Sequence, residues 1–149
     1  MISKTMVKLA KDWHKARGGS FVEPHAHALK LLGETIELCF ALGASAAEVQ
    51  RLTAAEVSKE VEKGLPSFGS RVRPQDIPEW FGNEAVKGEL ADVGLCFIFI
   101  ISYMFPGQED ILEDLMHLKI WELNDRMANG VVYEADRSGV VRRKGRDLT

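Results

Sequence analysis

Four carboxylates in this chain are spaced for chemistry. Glu34 and Glu37 stand three residues apart in LLGETIELCFAL, and Glu89 and Asp92 repeat that spacing in KGELADVGLCFIFIISYM. Both pairs sit in otherwise apolar segments. A carboxylate carried into apolar surroundings is costly unless it is paired or bound to a cation. Residues i and i+3 share one face of a helix. Two helices would therefore each present a pair of acids, and the four groups facing one another would require a cation. Oxygen donors without His or Cys select hard ions, Mg²⁺ or Mn²⁺. The competing reading is structural: an ExxE on a helix is commonly a solvated face, its acids paired with Lys or Arg. Two such pairs, both in core-like sequence, weaken that reading and set a shared metal site level with it.

The elements that must position these groups are helical. Residues 3–16 carry Met6, Leu9, Ala10 and Trp13 at helical spacing, and Gly18-Gly19 stops the run. Pro24 suits the first turn of a second helix reaching Gly43. Ser45 and Glu48 form a capping-box pattern for a helix over 46–63. The proline-rich stretch LPSFGSRVRPQDIPEWFG (65–82) reads as a long loop that packs through Phe68, Ile77, Trp80 and Phe81. A third long helix is expected over about 83–105 and a fourth over about 108–128. Two β-branched runs flanking Asp136-Arg137-Ser138-Gly139 predict a small hairpin. The fold class expected is all-α, a four-to-five-helix bundle (core about 3–128) with a short C-terminal β-hairpin and tail (129–149), in one domain spanning 1–149.

Composition narrows the function classes. The chain has 149 residues, 46% hydrophobic and 28% charged, with a net charge of −3. That length suits one domain with a sizeable core. The charge predicts no broad basic surface for nucleic acid. The apolar run Val93–Met104 has 12 residues, short of the roughly 17 to 25 of a spanning helix, so a buried core helix and no membrane partner are expected. MISKTMVKLAKDW lacks the apolar stretch of a secretory leader. Cys39 and Cys96, each inside an apolar run, predict buried free thiols in a reducing compartment, and a cytoplasmic location is expected.

The acid motifs carry a family resemblance. KLLGETIEL and GELADVGLCF resemble the two motifs of the all-α nucleoside triphosphate pyrophosphohydrolases, the MazG-like superfamily, which includes the dimeric dUTPases and phosphoribosyl-ATP pyrophosphohydrolases. KIWELNDR resembles its later Lys/Asn/Arg segment. The resemblance covers roughly residues 25–43 and 84–127. It implies a MazG-like bundle and Mg²⁺-dependent hydrolysis of a (d)NTP to (d)NMP and pyrophosphate, a hydrolase acting on acid anhydrides. It also implies Glu34, Glu37, Glu89 and Asp92 as metal ligands, with Glu34 or Glu37 as the group that takes the proton of the attacking water. Lys119, Asn124 and Arg126 would contact phosphate, and a homodimer or homotetramer is implied. The sequence departs from the family at Gly33, where many members carry the first glutamate of EExxE. The alternative is accordingly a catalytically impaired nucleotide- and metal-binding regulatory protein of the same fold. The longer gap between the acid motifs resembles larger members, and the hairpin resembles a decoration of phage-type relatives.

Other residues weigh less. Lys30 precedes Glu34 by four and suits an i,i+4 pair or a phosphate contact. Trp13, with His14 and with Trp80 or Phe81, is a candidate for stacking a base. Arg71, Arg73 and Lys87 are candidate cations of a lid or of the solvated surface. His25 and His27, two apart, do not share a helical face. A di-iron carboxylate bundle would need two Glu-x-x-His motifs. This chain offers only the Asp114–His117 spacing.

Overall fold

The computed structural model of the chain describes residues 2–21, 23–63 and 84–145. Among these, the order is α1 (Lys4–Lys15), α2 (Pro24–Ala41), α3 (Ala46–Glu62), α4 (Glu84–Met104), a 3₁₀ turn (Glu109–Ile111), α5 (Leu112–Ala128), β1 (Tyr133–Ala135) and β2 (Val141–Arg143). The expected all-α class with a small hairpin is what forms. The loop expected over 65–82, with Arg71, Arg73, Trp80 and Phe81, lies outside the described residues.

Local chemistry accounts for the helix starts. Ser3 caps α1, its hydroxyl accepting from the Met6 N–H at 3.1 Å. Pro24 opens α2, where its missing N–H costs nothing. Ser45 and Glu48 close the capping box at α3, each side chain accepting from the other's backbone N–H at 3.1 and 3.2 Å.

α1 lies along α5. Ser3 donates to Glu113, the Trp13 indole donates to Asn124 Oδ1 at 3.1 Å, and Arg17 Nε donates to Met127 Sδ at 3.1 Å. Contacts that advance together along both helices make the pair parallel. Met6, fully buried, sits on the inner side of α1.

The hairpin docks on the end of α1. The Ser20 N–H donates to Gly139 O at 3.0 Å and the Ala135 N–H to Arg17 O at 3.1 Å. Gly139 has φ +86°, and a Cβ there would lie 2.0 Å from Ser20 Oγ, so the turn requires glycine. Asp136 builds the turn. Its Oδ1 accepts from the Ser138 and Val140 N–H groups at 2.9 and 3.1 Å, and its Oδ2 accepts from Arg142 Nε at 2.8 Å. Burial opposes the charged form of Asp136. The bonds from Ser138, Arg142 and Val140 outweigh it and hold the carboxyl at about 2. A carboxyl depressed below its unfolded value stabilises the fold above about pH 4. That stabilisation is lost as pH falls through 2. Asp136→Ala is expected to cost about 1–2 kcal/mol at neutral pH. The cost should be much smaller at pH 2, which chemical denaturation at the two pH values measures.

The α1–α2 connection turns on an aromatic cluster. The His14 ring stacks on Phe21 at 4.9 Å and meets His27 at 5.2 Å, while His27 Nε2 lies 2.9 Å from Ser20 O. Neither His14 ring nitrogen has a hydrogen-bond partner among the described residues. Burial first, and the neighbouring His27 second, push the His14 pKa below its usual 6.5. The unfolded chain therefore takes up this proton before the folded one does. His14 leaves stability untouched well above pH 6.5 and lowers it as pH falls below that value. The melting temperature is expected to drop between pH 7.5 and 5.5, and His14→Phe should reduce that drop.

The outer helices correct one expectation. α4 forms where the apolar run predicted a helix, yet its apolar residues are largely exposed among the described residues. Leu90 is 64% exposed, Ile98 52%, Phe99 64% and Tyr103 85%; among its large residues only Ile101, at 9%, is buried. The expected burial of the thiols fails for the same reason. Both cysteines are free, Cys39 half-buried and Cys96 exposed. Hydrophobic periodicity reports that a face prefers to leave water, not which surface receives it. α2 and α3 likewise expose Leu29, Leu32, Phe40, Leu52 and Val57. No helix among the described residues is long and apolar enough to cross a membrane.

Candidate active site

A cavity of about 770 Å³ opens where α1, α2, α5 and the hairpin meet. Its size falls in the range of small-molecule sites, about 300–1,000 Å³. Trp13, Lys30, Glu34, Glu37, Lys119, Leu123, Arg126, Tyr133, Val141, Arg142 and Arg143 line it. Six of the residues singled out in the sequence therefore converge: Trp13, Lys30, Glu34, Glu37, Lys119 and Arg126. They come from three helices distant in sequence, joined by the docking of α1 on α5.

The charges of the cavity are partly matched. Lys30 pairs with Glu34 one turn on, as the i,i+4 spacing predicts. On α5, Glu122 pairs with Lys119 at 3.3 Å and with Arg126. The Arg126 guanidinium also lies 3.4 Å from the Tyr133 hydroxyl. That hydrogen bond raises its pKa, burial opposes it, and Glu122 adds to the rise. Glu37 has no hydrogen bond or ion pair among the described residues. The wall thus holds five cationic side chains and two carboxylates, an excess suited to a polyanion carrying its own metal.

The aromatic side is pre-set. Arg17 stacks on the Trp13 ring with its guanidinium carbon 4.1 Å from the centroid. Tyr133 meets the ring edge-on at 5.8 Å. Asn124 is not among the lining residues; its side-chain oxygen holds the Trp13 indole in place. Gly33, exposed on α2, has nothing within 4 Å of where a Cβ would be among the described residues, so the side chain it lacks has room there.

Glu89 and Asp92 lie elsewhere. Both are exposed on the first turns of α4, outside the cavity. Lys59 on α3 has its pKa raised by Glu56 first, against burial, with smaller contributions from Glu60 and Glu89. α2 and α4 do not pack extensively on one another among the described residues, and no three His, Cys, Asp or Glu groups there converge. The donor set fits a hard divalent cation in its chemistry: four carboxylates, all exposed, three of them without an ion pair among the described residues. The single chain assembles only the α2 half around the cavity.

The hairpin residues Tyr133, Arg142 and Arg143 were not singled out in the sequence. The signal was present only as the two β-branched runs around the turn, the second followed directly by cations in VVRRK. It lacked meaning until the docking of Ser20 on Gly139 turned the hairpin toward α5. Comparison of this chain with known protein families, with curated proteins and with solved structures finds no match.

Proposed function

We propose that this protein is a MazG-like nucleoside triphosphate pyrophosphohydrolase that converts a (d)NTP to (d)NMP and pyrophosphate. One observation carries the reading: Trp13, Lys30, Glu34, Glu37, Lys119 and Arg126, chosen from motif and spacing, line one cavity. In this reading Glu34, Glu37, Glu89 and Asp92 hold Mg²⁺, or Mn²⁺ in its place. Bound there, the ion would neutralise phosphate charge and acidify water. Lys30, Lys119 and Arg126 bind the triphosphate and orient it. As they engage phosphate, their pairings with Glu34 and Glu122 loosen. Glu34 or Glu37 takes the proton of the attacking water. Trp13, held by Asn124 and Arg17, offers a rigid edge to the base.

The reading includes a homodimer or homotetramer in a reducing, cytoplasmic compartment. The uncovered apolar face of α4 supports assembly, since exposed patches of this kind mark interaction surfaces. Closure of that face is also the step expected to complete the carboxylate set. Gly33 favours one second reading, a regulatory protein that binds nucleotide and metal without turnover.

Pyrophosphate release from a panel of canonical and modified NTPs, with Mg²⁺, Mn²⁺ or neither, tests both readings. Metal-dependent release is expected. Binding without release would select the regulatory protein, and neither binding nor release would overturn both.

A further inference from the structure

We propose that the C-terminal hairpin is a working wall of this site, and that Arg143 binds a phosphate oxygen of the substrate. The inference deepens the pyrophosphohydrolase reading and rests on it for the identity of the substrate.

Four observations carry it. Arg143 lines the cavity that Glu34, Glu37, Lys119 and Arg126 also line. The strand register sets Arg143 directly opposite Tyr133. Directly paired residues project from the same face of a hairpin, and Tyr133 lies against Trp13 and Arg126. The other cations of the wall are occupied: Lys30 by Glu34, Lys119 and Arg126 by Glu122, and Arg142 by Asp136 at 2.8 Å. Arg143 is half-buried, and its side chain has neither a hydrogen bond nor an ion pair among the described residues.

Arg143 thus lines the cavity with its charge unengaged by any carboxylate among the described residues. A phosphate oxygen supplies the partner, and the planar guanidinium matches its geometry at two donors. The hairpin is built to hold it. The Asp136 turn fixes the register, and Gly139 on Ser20 fixes the approach to α1. Arg143 thus binds phosphate from an element outside the two acid motifs.

The test is calorimetric titration of the full chain with inorganic tripolyphosphate, at fixed salt and Mg²⁺, for wild type, Arg143→Gln, Arg143→Lys and Arg137→Gln. The last removes a charge from the same hairpin away from the cavity. Arg143→Gln is expected to weaken binding about tenfold to a hundredfold, the worth of a hydrogen bond to a charged group. Arg143→Lys should recover part of the loss, and Arg137→Gln should match wild type. With a nucleotide that is turned over, Arg143→Gln should raise KM. Wild-type affinity in Arg143→Gln, or equal losses in Arg143→Gln and Arg137→Gln, would overturn the inference even if pyrophosphate release is intact. Arg143-dependent tripolyphosphate binding without release from any nucleotide would sustain the anion site and remove the hydrolase reading alone. No tripolyphosphate binding by wild type would overturn the inference as well.

Discussion

Glu37→Gln and Asp92→Asn are each expected to cut metal-dependent pyrophosphate release by about a hundredfold or more while leaving the melting temperature unchanged. Groups that only orient metal ligands cost about 10- to 100-fold when removed, so loss of a direct ligand belongs at or above that range. The stability half of the result follows from the fold. Glu37 and Asp92 are exposed and have no hydrogen bond or ion pair among the described residues. Neutralising either leaves no buried group without a partner. Loss of activity with retained folding is therefore what a metal or substrate role predicts. A structural role predicts loss of stability with activity following it. Initial rates and thermal unfolding on the same preparations separate the two. Gly33→Glu is the companion variant, because the open space at that position admits the side chain. If the wild type turns over slowly, this variant is expected to speed it.

The second large effect lies far from the cavity. Phe99→Asp on α4 is expected to give a sharp monomer at micromolar concentration, where wild type assembles, and to lower metal-dependent activity with it. Phe99 is 64% exposed within the chain, beside Ile98 at 52% and Leu95 at 48%. Burying such a side chain contributes about 1.5–3 kcal/mol, and burying an unpaired aspartate in its place costs several more. In a symmetric assembly each interface carries the change twice. The association constant should therefore fall by several orders of magnitude. Light scattering of both proteins measures it. A wild type that is already monomeric would remove the assembly reading. A monomeric Phe99→Asp with full activity would show that the site is complete within one chain.

Much of the fold was legible because it rests on local chemistry. Pro24, the Ser45–Glu48 capping box and the Asp136–Gly139 turn act through near neighbours, so their positions set the element ends. The convergence of Trp13, Lys30, Glu34, Glu37, Lys119 and Arg126 was half legible. Motif and spacing named the residues, but nothing local said that α1 would lie parallel to α5 and bring Trp13 to the same wall. The His14–Phe21–His27 stack had no sequence signal, since it depends on contacts between the end of α1 and the start of α2.

By itself, the order of residues determined where helices begin and end, which side chains carry hard oxygen donors, and which faces prefer to leave water. Each of these is a property of a few neighbouring residues. The tertiary structure decided which distant groups meet. It joined the hairpin cations to the wall of α2 and α5, left Glu89 and Asp92 outside the cavity, and left the apolar face of α4 exposed among the described residues. Periodicity states that a surface is to be buried. Only the packing of whole elements determines against what, because that choice depends on shape and contact across the entire fold.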